Sequence, residues 1–433
     1  MDRTLTSRPA LLQSVLARWL TIAVLCGLCG VSAHAQSDPP ARAGSLSRIQ
    51  GSVVFAPAGQ TEWIDTSTNW PITQGDRLWA DRGGRAEVHL GTSVLHIDSQ
   101  TFLDVMAVDE DVFQASLNGG SVNVRVRELR DGENVEIDTA QLAFRAAQPG
   151  EYRIDVDPVE GTTRVTVRSG TALVFGASGQ AVQLRPGPQQ AFTGRNLQAA
   201  ISSVPSVDND FGRWAAENNR QQDQSIAARY LPRDVVGHSQ LDTNGSWAQD
   251  ASHGAIWYPR VKIADWAPYR YGRWEWIGQW GWTWIDDAPW GFAPFHYGRW
   301  TMIGSRWAWV PGRLGPRPVY APALVVFIGD PAPPLSSDAD SAIGWFPLAP
   351  GEVWRPNYRG SVAYLRNVNR FITGTNIASG THFFRGRPEA TTVARMNDFI
   401  RGRPVQGHWR KASPAQLARA QVIVPPALDE PGR

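Results

Sequence analysis

Cysteine is nearly missing from this chain of 433 residues: there are two, Cys26 and Cys29, both within the first 30 positions. Beyond them no disulfide, catalytic thiol or cysteine metal ligand can be built. Lysine is as scarce, with only Lys262 and Lys411, so positive charge is carried by arginine. After residue 35 no segment gives the roughly 20 residues free of charge and proline that a membrane-spanning helix needs. The histidines after that point show no His-x-x-x-His or His-x-x-Glu-His spacing, and Gly-x-Ser-x-Gly, Walker A and dinucleotide fingerprints are missing. These absences remove the usual entry points to metal, hydrolase, nucleotide and redox chemistry. The expectation is a protein with no catalytic residue, no metal and no cofactor, hence not an enzyme.

What is present is aromatic: 20 Trp, 15 Phe and 9 Tyr in a chain that is 42% hydrophobic and 19% charged, too apolar for global disorder. The 41 Gly and 31 Pro punctuate it often, which favours many short strands over long helices. Residues 1–35 read as a secretory leader: Arg3, Arg8 and Arg18, an apolar run from Trp19 to Val31, then Ala33-His34-Ala35 as the cleavage pattern. Neither leader cysteine follows a lipoprotein-type triplet. The expected location is periplasmic or secreted, with no membrane span after cleavage and no nucleic-acid partner. Removing the leader takes away three Arg and one Asp and leaves 39 basic against 39 acidic residues, unevenly spread. Residues 44–200 hold 19 acidic and 13 basic residues, whereas 351–433 hold 5 acidic and 13 basic, so the two ends attract different partners or each other.

From residue 45 to 192 the apolar residues alternate: Ala86, Val88 and Leu90; Phe113, Ala115 and Leu117; Val122, Val124 and Val126; Tyr152, Ile154 and Val156; Val165 and Val167. Gly75-Asp76, Gly83-Gly84, Asn118-Gly119-Gly120, Asp131-Gly132, Glu160-Gly161 and Gly170 separate them, which predicts an antiparallel β sandwich or roll. The segments around Gly75-Asp76-Arg-Leu78, Arg85-Ala-Glu-Val88, Leu117-Asn-Gly-Gly-Ser-Val122 and Arg164-Val-Thr-Val-Arg-Ser-Gly170 resemble the extracytoplasmic FecR-type domain over most of 45–185. That resemblance implies the β fold and a protein-binding role. In that family the domain belongs to an anchored regulator of a sigma factor, whereas here the N-terminus reads as a cleavable leader in place of the cytoplasmic segment.

Residues 193–246 read as a connector, with Asp208-Asn209 capping a short helix that Phe211 and Trp214 anchor on a neighbour. Between Trp247 and Trp309 stand 12 of the 20 Trp, in an internal repeat. Trp266-Ala-Pro-Tyr-Arg-Tyr-Gly-Arg-Trp274-Glu-Trp-Ile-Gly278 is echoed by Phe292-Ala-Pro-Phe-His-Tyr-Gly-Arg-Trp300-Thr-Met-Ile-Gly304. Each copy predicts a β-hairpin. In the second, Gly304-Ser305 turns and sets Met302 opposite Trp307 and Trp300 opposite Trp309. The first copy has one extra residue after its Gly, which puts Trp274, Trp276, Trp282 and Trp284 on one face and Trp280 in or beside the loop. This segment, with Asp286-Asp-Ala-Pro-Trp290-Gly and Gly344-Trp-Phe-Pro-Leu-Ala-Pro350, resembles a Trp-rich family of exported bacterial proteins of unknown function, DUF6600, from about Phe211 to at least Tyr358. The expected Trp-rich β repeat domain spans 247–358, and an Arg-rich C-terminal extension spans 359–433, with Ser413-Pro414-Ala-Gln416 starting a short helix.

A buried Trp removes some 150–250 Å² from water, worth about 4–6 kcal/mol, so most of these indoles are expected in the core. Trp280, by a turn, and Trp290, after Asp286, Asp287 and Pro289, are the two expected at the surface, where an indole could stack on a sugar ring. Asp286, Asp287, Arg401 and Arg403 complete the candidate binding surface. Adjacent carboxylates point apart, and Thr301 stands in the second copy where the first has Glu275, which weighs against a glycosidase pair. The functional expectation is a non-enzymatic cell-envelope binding or scaffolding protein presenting β surfaces to a protein or glycan. The alternatives are a FecR-like periplasmic signalling accessory and a polysaccharide-acting enzyme.

Overall fold

A computed structural model describes residues 38–200, 209–329, 341–370, 372 and 382–428; the leader and its cleavage site lie outside them. From Pro39 onward the described chain forms one compact unit built round two large hydrophobic cores, with a third small cluster of Ile256, Ala308 and Val310. It is mainly β with a few short helices, as the alternation and turn spacing predict.

In the first half, β1 (Gly44–Gln50), β2 (Arg85–Leu90), β3 (Ser93–Ile97), β4 (Val112–Val126), β5 (Gly150–Asp157) and β6 (Thr162–Ser169) pair antiparallel in chain order. β4 serves two sheets. Its C-terminal half lies between β3 and β5, and its N-terminal half pairs with Thr101–Val108 and, in parallel, with Asn134–Asp138. The switch falls at Gly119-Gly120. Gly120 has φ 89°, and a Cβ there would collide with Gln100 and Thr101, so only glycine fits. The alternating residues face inward as predicted: Val122, Val124, Tyr152, Ile154, Val165 and Phe113 are all buried.

The connector is a packed layer. Helix α1 (Asp210–Asp223) is capped by Asn209, whose side chain accepts the Gly212 N–H at 2.9 Å. Phe211 is buried beneath the guanidinium of Arg153, and Trp214 meets His96 edge-on at 5.4 Å. Gln222 donates to the buried Glu87 at 2.9 Å, which also receives Ser47 at 2.6 Å and His96 at 3.2 Å. Burial alone would raise the Glu87 carboxyl, yet the His96 hydrogen bond, the nearby imidazoles and Ser47 hold it at about 2.

His89, on β2, bridges to the connector: its Nε2–H donates to the Gly91 carbonyl at 2.9 Å and its Nδ1 accepts the Gly237 N–H at 3.0 Å. Burial, reinforced by His238, pushes this imidazole down to about 3. The unfolded chain takes up the proton near pH 6.5 and the folded chain does not. His89 therefore contributes stability that is full above pH 6.5 and is lost as pH falls toward 3, about 2–3 kcal/mol by pH 4.5. Buried Asp76, held at about 7 by burial, shifts global stability the opposite way over part of that window, so the readout must be the residue. In an ¹⁵N-histidine NMR titration His89 is expected to stay the neutral Nε2–H tautomer at pH 5; a midpoint above 6 would contradict the account.

The described residues of the second half contain three tight hairpins: β7 (Gly245–Asp250) with β8 (Gly254–Pro259), β9 (Gly272–Ile277) with β10 (Gly281–Asp286), and β11 (Arg299–Ile303) with β12 (Arg306–Val310). The first and third join in one sheet, in the order β7-β8-β12-β11. A further sheet centres on β13 (Val325–Gly329), β14 (Ala342–Pro347) and β15 (Thr392–Arg395), with Arg410–Lys411 and Gln421–Val422 at its edges. The region expected as a C-terminal extension thus supplies an inner strand and both edges of that sheet. The helix Pro414–Arg419 has the predicted capping box between Ser413 and Gln416.

Candidate functional site

The hairpin registers are those the repeat predicts. Trp274 pairs with Trp284 and Trp276 with Trp282, while Trp300 faces Trp309 and Met302 faces Trp307. Gly304, at φ 62°, starts the two-residue turn. One face of the β9–β10 hairpin packs on β13, β14 and the segment after β15: Trp274 lies 4.9 Å from Phe327 and 5.5 Å from Trp345, and Trp282 lies 4.3 Å from Phe399.

Trp280 is in the loop as expected but faces inward, 1% exposed, with its ring 4.8 Å from Tyr320 and its indole N–H donated to the Pro40 carbonyl at 3.1 Å. The expected exposure is corrected by a covering segment some 240 positions away that local sequence could not reveal. Trp290 is likewise buried, 4% exposed, stacked on Phe295 at 5.8 Å and edge-on to Trp257 at 5.0 Å. Asp286 is buried too. Its carboxylate accepts Trp284 Nε1–H and the Ala288 N–H, both at 3.0 Å, and burial pushes its pKa well up. It shapes the turn that carries Trp290, and Asn69 from the other half clamps that turn through the Asp286 and Ala288 carbonyls.

Asp287 is exposed and accepts Gln406 at 2.8 Å. Arg403 is exposed and pairs with Asp398 at 2.9 Å, while Arg401 is exposed beside it. A Cβ at Gly402 would lie 3.2 Å from the Glu275 carboxylate, so the Arg401–Gln406 turn runs across the β9–β10 hairpin. Of the six candidates, the structure brings Asp287, Arg401 and Arg403 to the surface in adjoining segments and puts Trp280, Trp290 and Asp286 inside.

Open volume lies elsewhere. A cleft of about 730 Å³ is lined by the β7–β8 turn from Gln249 to Ala255, by His296 to Arg299, by Val310 to Leu314, and by Pro318, Val319 and Val368. In the turn, His253 Nδ1 sits 2.8 Å from Asp250 Oδ1, and this hydrogen bond lowers the Asp250 carboxyl. His296 is 1% exposed; its Nδ1–H donates to the Ala321 carbonyl at 2.8 Å, its Nε2 has no partner among the described residues, and burial pushes it down to about 4. Arg299 is 7% exposed and donates to the Glu352 and Gly298 carbonyls and the Asn369 side chain, at 2.9, 2.7 and 3.4 Å. Burial pushes its guanidinium down to about 10. Arg313 is exposed at the rim. A smaller cleft of about 360 Å³ lies between Trp266, Met302, Arg306 and Lys411.

Sequence reasoning passed over Arg299, Arg313, His253 and His296. The signal was in the repeat: His296 occupies the position of Arg270, and Thr301 that of Glu275. Among the described residues no cluster of His, Cys, Asp and Glu suited to a metal ion occurs.

Residues 238–352 match the model of a family of unknown function, DUF6600. No curated protein matches the chain. Two crystal structures of a putative anti-sigma factor from Parabacteroides distasonis, at 1.65 and 2.50 Å resolution, are similar to part of it. Both show 17% identity and a TM-score of 0.26, over 29% of this chain. The chain spans 57% of the length of those structures.

Proposed function

We propose that this is a non-enzymatic binding or scaffolding protein of the bacterial cell envelope, exported by its leader, whose partner is seated in the cleft between the β7–β8 turn and the start of β11. The observation that carries this reading is the contrast between the two kinds of surface. The indoles expected to form a stacking platform, Trp280 and Trp290, are used as core, while the cleft is lined by the exposed Arg313, the half-buried His253 and the buried Arg299. Its volume falls within the roughly 300–1,000 Å³ usual for ligand sites. Asp286, on which a polysaccharide-acting reading rested, is buried and committed to Trp284 and Ala288.

The test uses the full chain expressed with its leader. Mass spectrometry of the periplasmic form is expected to begin at Gln36, and that form should be retained on solubilised envelope protein or isolated envelope glycan. Arg313→Glu, at an exposed position with no partner among the described residues to lose, is expected to cut retention at least tenfold with an unchanged melting temperature. Recovery of intact Met1 only in the cytoplasm, or retention unaffected by Arg313→Glu, would contradict the proposal.

A further inference from the structure

The two repeat copies differ at one electrostatic position. In the first, Arg273 Nε–H donates to Glu275 at 2.8 Å, two residues along the same strand face, so the cation carries its own counter-ion. In the second, Arg299 is the equivalent of Arg273, and Thr301 replaces the glutamate. Among the described residues no carboxylate forms an ion pair with Arg299. Its three recorded acceptors are neutral oxygens, which leaves two of its five N–H groups over. Arg270, also buried, is more fully engaged: four of its five N–H groups donate, to Thr392 and to the carbonyls of Asp265, Glu389 and Thr391, and it lies 4.1 Å over the Trp409 ring. The nearest charge to offset that of Arg299 belongs to Glu352, whose carboxylate accepts the Ala349 N–H and forms no ion pair with the guanidinium. A buried cation so weakly compensated is costly, and here it lines the cleft of about 730 Å³, together with Arg313. Among the described residues the one carboxylate in the lining, Asp250, is engaged by His253.

Two features indicate what carries the anion. One part of the wall is aliphatic and proline-rich, with Leu314, Val319, Val368, Pro311 and Pro318, and among the described residues the one aromatic ring there besides the histidines, Tyr297, is 4% exposed and offers no stacking face for a sugar. In addition, β7 runs into the cleft through Gln249 and Asp250 and, among the described residues, pairs only with β8, so its outer edge is open to an extended chain. We infer that the cleft binds a peptide carboxylate, Arg299 taking the charge by a forked contact and the aliphatic wall taking the neighbouring side chain. This deepens the binding role proposed above and rests on it.

The test measures tryptophan fluorescence of the intact exported protein titrated with Ala-Ala-Leu bearing a free C-terminal carboxylate, with the same peptide amidated, and with the carboxylated glycan polygalacturonate. The free acid is expected to bind at least tenfold more tightly than the amide, and the glycan not to compete. Thr301→Glu restores the first copy's ion pair and is expected to abolish the preference for the acid while keeping the melting temperature. Equal binding of acid and amide by the wild type, or competition by polygalacturonate, would overturn the inference whether or not the variant folds. A folded Thr301→Glu protein that still prefers the acid would overturn it as well. If such a variant is still retained by envelope material, the general binding role survives and the peptide-carboxylate assignment alone falls.

Discussion

Truncating Trp280 to alanine is expected to destabilise the protein by about 3–5 kcal/mol, as much as Trp282→Ala does. The two positions look different in sequence, one beside a turn and one within a strand, but both indoles are inside. Trp282 is 4% exposed and donates to the Pro426 carbonyl at 2.7 Å; Trp280 is 1% exposed and donates to Pro40. Each change removes a large apolar surface and leaves a carbonyl without its donor. Urea denaturation of the two variants checks this. A Trp280→Ala protein within 0.5 kcal/mol of wild type would return that indole to the surface.

The second large effect is expected at Arg270. Methionine there fills much of the same volume but leaves the four acceptors from Asp265, Glu389, Thr391 and Thr392 unpaired and the Trp409 ring uncovered. A loss of about 3 kcal/mol or more follows chiefly from the buried Thr391 and Thr392 acceptors stripped of their donor, those of Asp265 and Glu389 being part-buried. Lysine should not rescue it, because one ammonium cannot reproduce a planar fork that reaches four oxygens and stacks on an indole. Since three of the acceptors follow residue 388, limited proteolysis should cut Arg270→Met faster than wild type within 382–411. Stability within 0.5 kcal/mol of wild type and unchanged cleavage would contradict this.

These two sites show what could and could not be read from the chain. The period-two alternation of Val122, Val124 and Val126 and the odd loop after Gly278 are local signals, and they set strand faces and hairpin register correctly because register depends on nearest neighbours. The burial of Trp280 depends on Pro40 and Tyr320, and the role of Arg270 on Thr391 and Thr392, contacts separated by 40 positions or more. No local pattern encodes such pairings. The Asp286-Asp287 pair reads as a turn, and it is one, but which carboxylate turns inward was set by Trp284 and Asn69. The candidate cleft was legible only by comparing repeat copies for what had been lost: the glutamate beside Arg273 that becomes Thr301 beside Arg299.

The central claim is that the tryptophans are scaffold and that recognition belongs to the cleft. Indole N–H hydrogen exchange tests it most directly. Trp257, Trp280, Trp282, Trp300, Trp309 and Trp345 each donate to a backbone carbonyl from a buried position, and Trp284 to Asp286. In ¹⁵N-tryptophan spectra these seven signals are expected to exchange only through unfolding, with one common protection free energy equal to the denaturation value. Rapid exchange of Trp280 or of the hairpin indoles in the native protein, slowed on adding envelope glycan, would show them to be an exposed platform and would contradict the account.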